Sequence, residues 1–293
     1  MVTDGASGTL HAVDLGSGER LWSLGAEAHT PEGTERSVTV RVALTGETVL
    51  VNTLYDTGDD SFVSAVSALD GPTGRVRWTR EADRLMAPAL TVADGVVFCG
   101  MWRDDGSFFT ALDVDSGEAL WEHRRAADGD PSRGEATTIA VADGTAYFGD
   151  SDGKLHAFDA RRGTPLWSFA PDVRIEEWLE PVVVADGVVL GATGDGSGTG
   201  GPGEVHAVAA DSGEPLWTEP TEDEPLVHAP LDGAALYSVA TGTLHALDLR
   251  TGESPTETRL STGNPDPAVV GDRVYFDGGD GRLRAGGISL GGG

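Results

Sequence analysis

Apolar residues in this chain fall in short runs separated by glycine-bearing turns. The stretch from 136 to 169 lays the pattern out. Ala136–Ala142 is an apolar run, Asp143-Gly144 interrupts it, and Thr145–Gly149 resumes it. Ser151-Asp152-Gly153 then precedes a third run, Lys154–Asp159, and Arg161–Gly163 precedes a fourth, Pro165–Phe169. Runs this short, punctuated this often, predict four strands in hairpin order, a, b, c and d, rather than helices. The a–b link has the strongest signal, because an Asp-Gly pair suits the two-residue hairpin turn in which both residues need positive φ. The pair recurs as Asp94-Gly95, Asp186-Gly187 and Asp232-Gly233.

The c–d hairpin carries a signature of its own. Ala157, Asp159, Gly163 and Trp167 spell Ala-x-Asp-x-x-x-Gly-x-x-x-Trp, which returns intact at Ala12…Trp22, Ala68…Trp78 and Ala111…Trp121. Two copies are partial. Ala209 stands in the Asp place before Gly213 and Trp217, and the copy through Ala246, Asp248 and Gly252 ends on Thr256. A fixed period of this kind marks a repeat architecture. The repeats divide a single domain, 1–293, into units at 1–24, 38–80, 87–124, 136–169, 180–219, 225–260 and 265–290. Met1-Val2-Thr3 reads as the end of a strand b, and the last unit stops after its strand c. Merging the two ends would give six units. Two strands c cannot fill one place, which favours seven with incomplete terminal units. A start in mid-strand also fits a piece of a longer polypeptide.

This signature resembles the pyrroloquinoline-quinone-like β-propeller repeat of quinoprotein dehydrogenases, BamB-type envelope lipoproteins and the propellers fused to some actinobacterial Ser/Thr kinases. The resemblance covers nearly the whole chain. It implies an all-β fold, a β-propeller of four-stranded antiparallel blades. It also implies that Trp22, Trp78, Trp121, Trp167 and Trp217 dock between blades as structural staples, on the alanine and the glycine turn of a neighbouring motif. Each residue type suits that place. Alanine leaves room for an indole, Asp accepts turn N–H groups, glycine takes positive φ, and Trp buries a large area with one donor to satisfy. Thr256 in the Trp place predicts a weaker junction there.

Charge narrows the partners. Lys+Arg number 20 against 48 Asp+Glu, a net charge of −28, whereas phosphate binding needs a cationic face. Nucleic acid and anionic membrane surfaces are therefore poor partners. The acidity also fits simple solubility, in a salt-adapted cell or a high-GC genome; Lys154 is the one lysine. A single cysteine, Cys99, excludes an intrachain disulfide and any C-x-x-C pair. No signal peptide and no apolar run of membrane-spanning length stand out.

Candidate chemistry lies in the connections. The a–b and c–d turns are uniformly short, while length varies in the b–c connections (55–61, 102–107, 193–203) and the d–a connections (25–37, 125–135, 171–180). In an up-and-down blade both sets emerge on one face, so that face is the candidate binding surface; neutral drift of loops would leave the same trace. Two tryptophans there lie outside the motif. Trp102 adjoins Arg103, Asp104 and Asp105, and Trp178 follows Arg174, Glu176 and Glu177. Trp beside charge is a recognition composition, although both rings could instead cover the ends of the core. Asp56, Asp59 and Asp60 match no known Ca²⁺ cage and read as a solvated acidic loop. His11, His156, His206 and His245 each precede the motif alanine and read as strand-face residues, not as metal ligands. No catalytic or phosphate-cradling motif emerges.

The expectation is a non-catalytic scaffold or sensor that meets a protein, peptide or small ligand on the b–c and d–a face, without direct insertion into a membrane. It fits the cell envelope or the extracytoplasmic side of a larger kinase-type protein. The alternative is a quinone-dependent dehydrogenase. The resemblance associates such enzymes with a ring-facing disulfide between adjacent cysteines and a Ca²⁺ held by carboxylate and amide groups. Cys99 cannot form that bridge, and the chain holds two asparagines, Asn52 and Asn264. Both quinone and Ca²⁺ are therefore disfavoured as cofactors.

Overall fold

The computed structural model describes residues 2–4, 9–14, 16–25, 36–56, 62–82, 89–103, 106–124, 136–151, 153–171, 178–194, 201–223, 225–231, 234–239, 243–253, 256–259, 268–270, 273–277 and 283–287. Among them, strands form seven antiparallel sheets and no helix is long and apolar enough to cross a membrane.

The first sheet is β1 (Val2–Asp4), β2 (Thr9–Val13) and β3 (Arg20–Leu24). Four strands each make the second, β4 (Arg36–Thr45), β5 (Thr48–Asp56), β6 (Phe62–Asp70) and β7 (Val76–Ala82), and the third, β8 (Leu90–Ala93), β9 (Val96–Arg103), β10 (Gly106–Asp113) and β11 (Ala119–Arg124). The fourth holds β12 (Ala136–Ala142), β13 (Thr145–Asp150), β14 (Leu155–Asp159) and β15 (Pro165–Phe169). The fifth holds β16 (Trp178–Ala185), β17 (Val188–Thr193), β18 (Gly203–Ala209) and β19 (Pro215–Thr221). The sixth is β20 (Pro225–Leu231), β21 (Ala234–Val239), β22 (Thr243–Asp248) and β23 (Thr256–Arg259). The seventh is β24 (Ala268–Val270), β25 (Arg273–Asp277) and β26 (Leu283–Gly287). Among the described residues the first and the last sheet each have three strands. The chain divides into two compact units, Met1–Gly144 with Asp159–Thr164, and Thr145–Phe158 with Pro165–Gly293.

Local chemistry accounts for the hairpins. Asp94, Asp143 and Asp186 all have φ of 48°, each followed by a glycine with positive φ, as a tight two-residue turn between twisted strands requires. Asp232-Gly233 lies outside the described residues. In the c–d hairpins the register shifts immediately after the motif alanine, at Ala12, Ala68, Ala111, Ala157 and Ala207. This bulge sets each alanine directly opposite its own tryptophan, Ala111 against Trp121 for example.

Burial falls from the middle of a sheet outwards. Every described side chain of β17 is buried, whereas β15 and β19 alternate exposed and half-buried positions. Middle strands are packed on both faces and so read as unbroken apolar runs; strand d is an edge with one covered face. Hence Leu21, Leu120, Leu166 and Leu216, each just before a motif tryptophan, are about half exposed. In the first unit, Leu50, Val66, Val97, Cys99 and Leu112 share a core with the half-buried Trp78. In the second unit, Leu190, Val205, Val227 and Leu247 do the same with Trp217.

Candidate functional site

The c–d turn and the tryptophan of the preceding repeat form one joint, seen five times. The turn closes when the glycine amide reaches the carbonyl of the motif Asp, at 2.8 Å for Gly18 on Asp14 and for Gly117 on Asp113. The Asp side chain then fills the inside of the turn. Asp113 Oδ1 accepts from the amides of Asp115 (3.2 Å) and Ser116 (2.8 Å) and from Ser116 Oγ (2.8 Å). Asp14 and Asp248 repeat the arrangement with Ser17 and Thr251. Asp159 caps Arg161 and Arg162 and takes the Arg162 guanidinium at 3.0 Å. These bonds hold the Asp14, Asp70, Asp113, Asp159 and Asp248 carboxyls below the ordinary range. The largest contributions are the amides of Ser17, Arg162 and Thr251 and the hydroxyls of Thr73 and Ser116.

The indole closes the joint from the neighbouring sheet. Trp22, Trp78, Trp121, Trp167 and Trp217 donate Nε1–H to the carbonyls of Gly71, Val114, Ala160, Ala210 and Leu249, at 2.7 to 3.0 Å. Each acceptor is the residue after the motif Asp place of the next repeat. Each ring also lies against the glycine of that turn: a Cβ on Gly74, Gly117, Gly163, Gly213 or Gly252 would sit 2.5 to 2.8 Å from indole carbon. Glycine is thus required twice, for its φ near 70° and for the ring above it. Thr256 pairs with Ala246 in register and has no indole to offer.

The loop-face candidates sit differently from their sequence reading. Trp102 and Arg103 are not in a connection; they end β9, paired with Ser107 and Gly106 of β10. Only Asp104 and Asp105 separate the two strands, and both lie outside the described residues. The hairpin ladder runs on past the apolar stretch, because main-chain pairing needs no apolar side chain. Trp178 likewise opens β16 opposite Thr193 rather than lying in the d–a connection, and Arg174, Glu176 and Glu177 lie outside the described residues. So do Asp59 and Asp60.

The repeat histidines are engaged within their sheets. His11 Nδ1 meets Ser23 Oγ at 2.9 Å, and His156 Nε2 meets the fully buried Asp150 Oδ2 at 2.8 Å. Asp150 Oδ1 also accepts the Lys154 amide at 2.8 Å, which locks the b–c turn. His206, 2% exposed, contacts Thr193 Oγ1 at 3.0 Å and Thr218 Oγ1 at 3.2 Å. Burial lowers its pKa to about 4, so its 3.5 Å contact with Glu204 joins a neutral imidazole to a carboxylate. Among the described residues no three His, Cys, Asp or Glu side chains converge as metal ligands do.

Each unit also has a cavity. In the first, about 390 Å³ lies against the Asp94 and Asp143 turns and Asp159–Arg162; its Arg162 is already paired with Asp159. In the second, about 560 Å³ lies between the end of β15 and the strands and turn of the fifth sheet. Sequence reading anticipated neither; the walls of the second come from three separated segments.

Repeated four-stranded sheets stapled by an indole on the next glycine turn define a tryptophan-docked β-propeller repeat protein. A family model described as outer membrane protein assembly factor BamB matches residues 6–199 and 201–289, and the chain belongs to that family. It is 33% identical over 191 residues to the assembly factor BamB of Xanthomonas campestris, covering 64% of this chain and 42% of that one. It is 34% identical over 148 residues to the serine/threonine-protein kinase AfsK of Streptomyces coelicolor, covering 49% of this chain and 16% of that one. The chain thus spans less than two thirds of the length of these relatives. The crystal structure of BamB from Moraxella catarrhalis shares the fold, with a TM-score of 0.70 at 20% identity over 97% of this chain and 80% of that one.

Proposed function

We propose that this chain is a non-catalytic scaffold of the bacterial cell envelope that binds a protein partner through the b–c and d–a ends of its sheets. The observation that carries the reading is the match over 6–199 and 201–289 to a family model described as outer membrane protein assembly factor BamB. Placement supports it. Trp102 stands in the strand next to the b–c connection of its sheet and Trp178 in the strand next to the d–a connection of its own, a residue type common in recognition sites beside the irregular loops. The joint supports it as well. Five indoles and five motif carboxylates are bonded into the frame, which leaves a rigid support for whatever its ends recognise. No quinone or Ca²⁺ takes part in this role.

Photo-crosslinking from positions 102 and 178 in the source cell identifies the partner, and titration with that purified partner tests the reading. Trp102→Ala and Trp178→Ala should each weaken binding about tenfold, as loss of a hot-spot aromatic does, with an unchanged Tm. Unaltered affinity, or a large fall in Tm with binding intact, would refute it. Dye reduction and a quinone absorbance shift on adding the quinone with Ca²⁺ would instead make the protein a dehydrogenase.

A further inference from the structure

We infer that the cavity between the fourth and fifth sheets binds a guanidinium, the side chain of an arginine in a partner segment. The site lies within the second unit and goes beyond the scaffold reading, since it rests on different residues. Among the described residues its lining includes Glu204 and Glu214 and no Lys or Arg, which gives those walls an acidic character. Phe169 stands across from His206 with ring centroids 6.0 Å apart and offers an aromatic face to a cation. Pro171 and Pro215 supply apolar wall for a methylene stem. The volume, about 560 Å³, is that of a small-ligand pocket.

The repeat itself marks this place as unusual. In the turns of Asp14, Asp70, Asp113 and Asp248, the Ser or Thr three residues on gives its hydroxyl to the motif carboxylate. The fifth sheet has Ala209 there. Its turn still closes, Gly213 N to Ala209 O at 2.8 Å, but Ser212 Oγ has no carboxylate to engage. That turn lines the cavity, and Ser212 Oγ, which accepts the Glu214 amide at 3.4 Å, keeps a second lone pair for a ligand donor. A departure from the repeat rule at a concave, charged place is where function displaces regularity.

The choice of cation follows from geometry. Among the described residues no three acidic, histidine or cysteine side chains converge on one point as metal ligands would. A planar group with five donors can serve two separated carboxylates and a hydroxyl together, and it stacks on an aromatic ring. His206 is neutral at pH 7 and does not repel it.

The test is an NMR titration of the whole chain with acetyl-Ala-Arg-Ala-amide, and with the Gln-for-Arg peptide. Saturable shifts are expected at Glu204, Ser212 and Glu214 with the first peptide alone. Glu204→Gln/Glu214→Gln should raise Kd at least tenfold, and Glu214→Gln, on an exposed turn, several-fold. Glu253→Gln, the same turn position in the sixth sheet, should leave Kd unchanged. No saturable shift, an unaffected double variant, or an equal loss in Glu253→Gln (diffuse attraction to an acidic surface) would each overturn the assignment.

Discussion

Gly117→Ala and Gly18→Ala make the same chemical change at the same motif position, and they should differ sharply in cost. Gly117 has φ of 70° and Gly18 has φ of 73°. Both amides close their turns on the motif Asp at 2.8 Å. Left-handed backbone strain is therefore common to the two, about 1–2 kcal/mol for a residue with a Cβ. Their surroundings are not alike. A Cβ on Gly18 meets nothing within 4 Å, whereas one on Gly117 would lie 2.6 Å from Trp78 Cδ2 and 2.8 Å from its Cε3. Since the indole is rigid, the ring must leave. It would lose its 2.9 Å bond to Val114 O, about 0.5–1.5 kcal/mol, and part of the roughly 1.5–3 kcal/mol that burying a large apolar side chain contributes. Gly117→Ala should thus cost about 3–5 kcal/mol against about 1–2 for Gly18→Ala. Urea unfolding followed by tryptophan fluorescence measures both. Trp78→Ala in the Gly117→Ala background should cost less than the sum of the two changes, because they remove one contact. Equal costs at the two glycines, or strict additivity with Trp78→Ala, would refute the staple.

Three further outcomes follow from the electrostatics and the turns. His206 holds its pKa near 4 in the folded chain against 6.5 unfolded, so its contribution is complete above pH 6.5 and is lost as pH falls towards 4. The loss amounts to at most about 3 kcal/mol; His206→Gln should flatten urea midpoints across that window, and an unchanged slope would contradict it. The Asp159 carboxyl is lowered by the Arg162 amide and guanidinium, so its contribution is present above pH 3.8 and fades below it; Asp159→Asn should shallow the acid limb of stability in that range alone. Ala209→Asp should raise Tm in calorimetry, because a carboxylate there can accept the Asp211 and Ser212 amides as Asp113 accepts those of Asp115 and Ser116.

Much of the frame was legible because each part has a distinct residue requirement. Asp-Gly announced the a–b turns at Asp94, Asp143 and Asp186, and the Ala-to-Trp spacing announced the c–d hairpins with their bulge. What the indoles bond to was not legible. Gly71, Val114, Ala160, Ala210 and Leu249 share no side-chain chemistry, since each contributes only a backbone oxygen. Strand ends were hidden for a similar reason. Trp102 and Arg103 follow an apolar run and precede two acidic residues, so they read as loop, yet main-chain pairing carries β9 through them. The Phe169 cavity had no linear signal either, because Phe169, Glu204 and Ser212 meet only through the packing of neighbouring sheets.

The joint also constrains where recognition can evolve in this fold. An indole and the glycine turn beneath it must be kept together, since altering either leaves a clash or a cavity. Variation is then tolerated in two kinds of place. One is the strand ends beyond the joint, where Trp102 and Trp178 stand. The other is a turn whose capping residue has been exchanged while its indole remains. The fifth sheet meets the second condition: Trp167 still binds Ala210 O at 3.0 Å and Gly213 still closes on Ala209, although the carboxylate is gone. The indole contact and the main-chain turn are therefore sufficient to hold that junction. The capping side chain is the element that can be given up, and at Ala209 its absence leaves the Ser212 hydroxyl bonded to the Glu214 amide but to no motif carboxylate, beside a cavity walled by Phe169, Glu204 and Glu214.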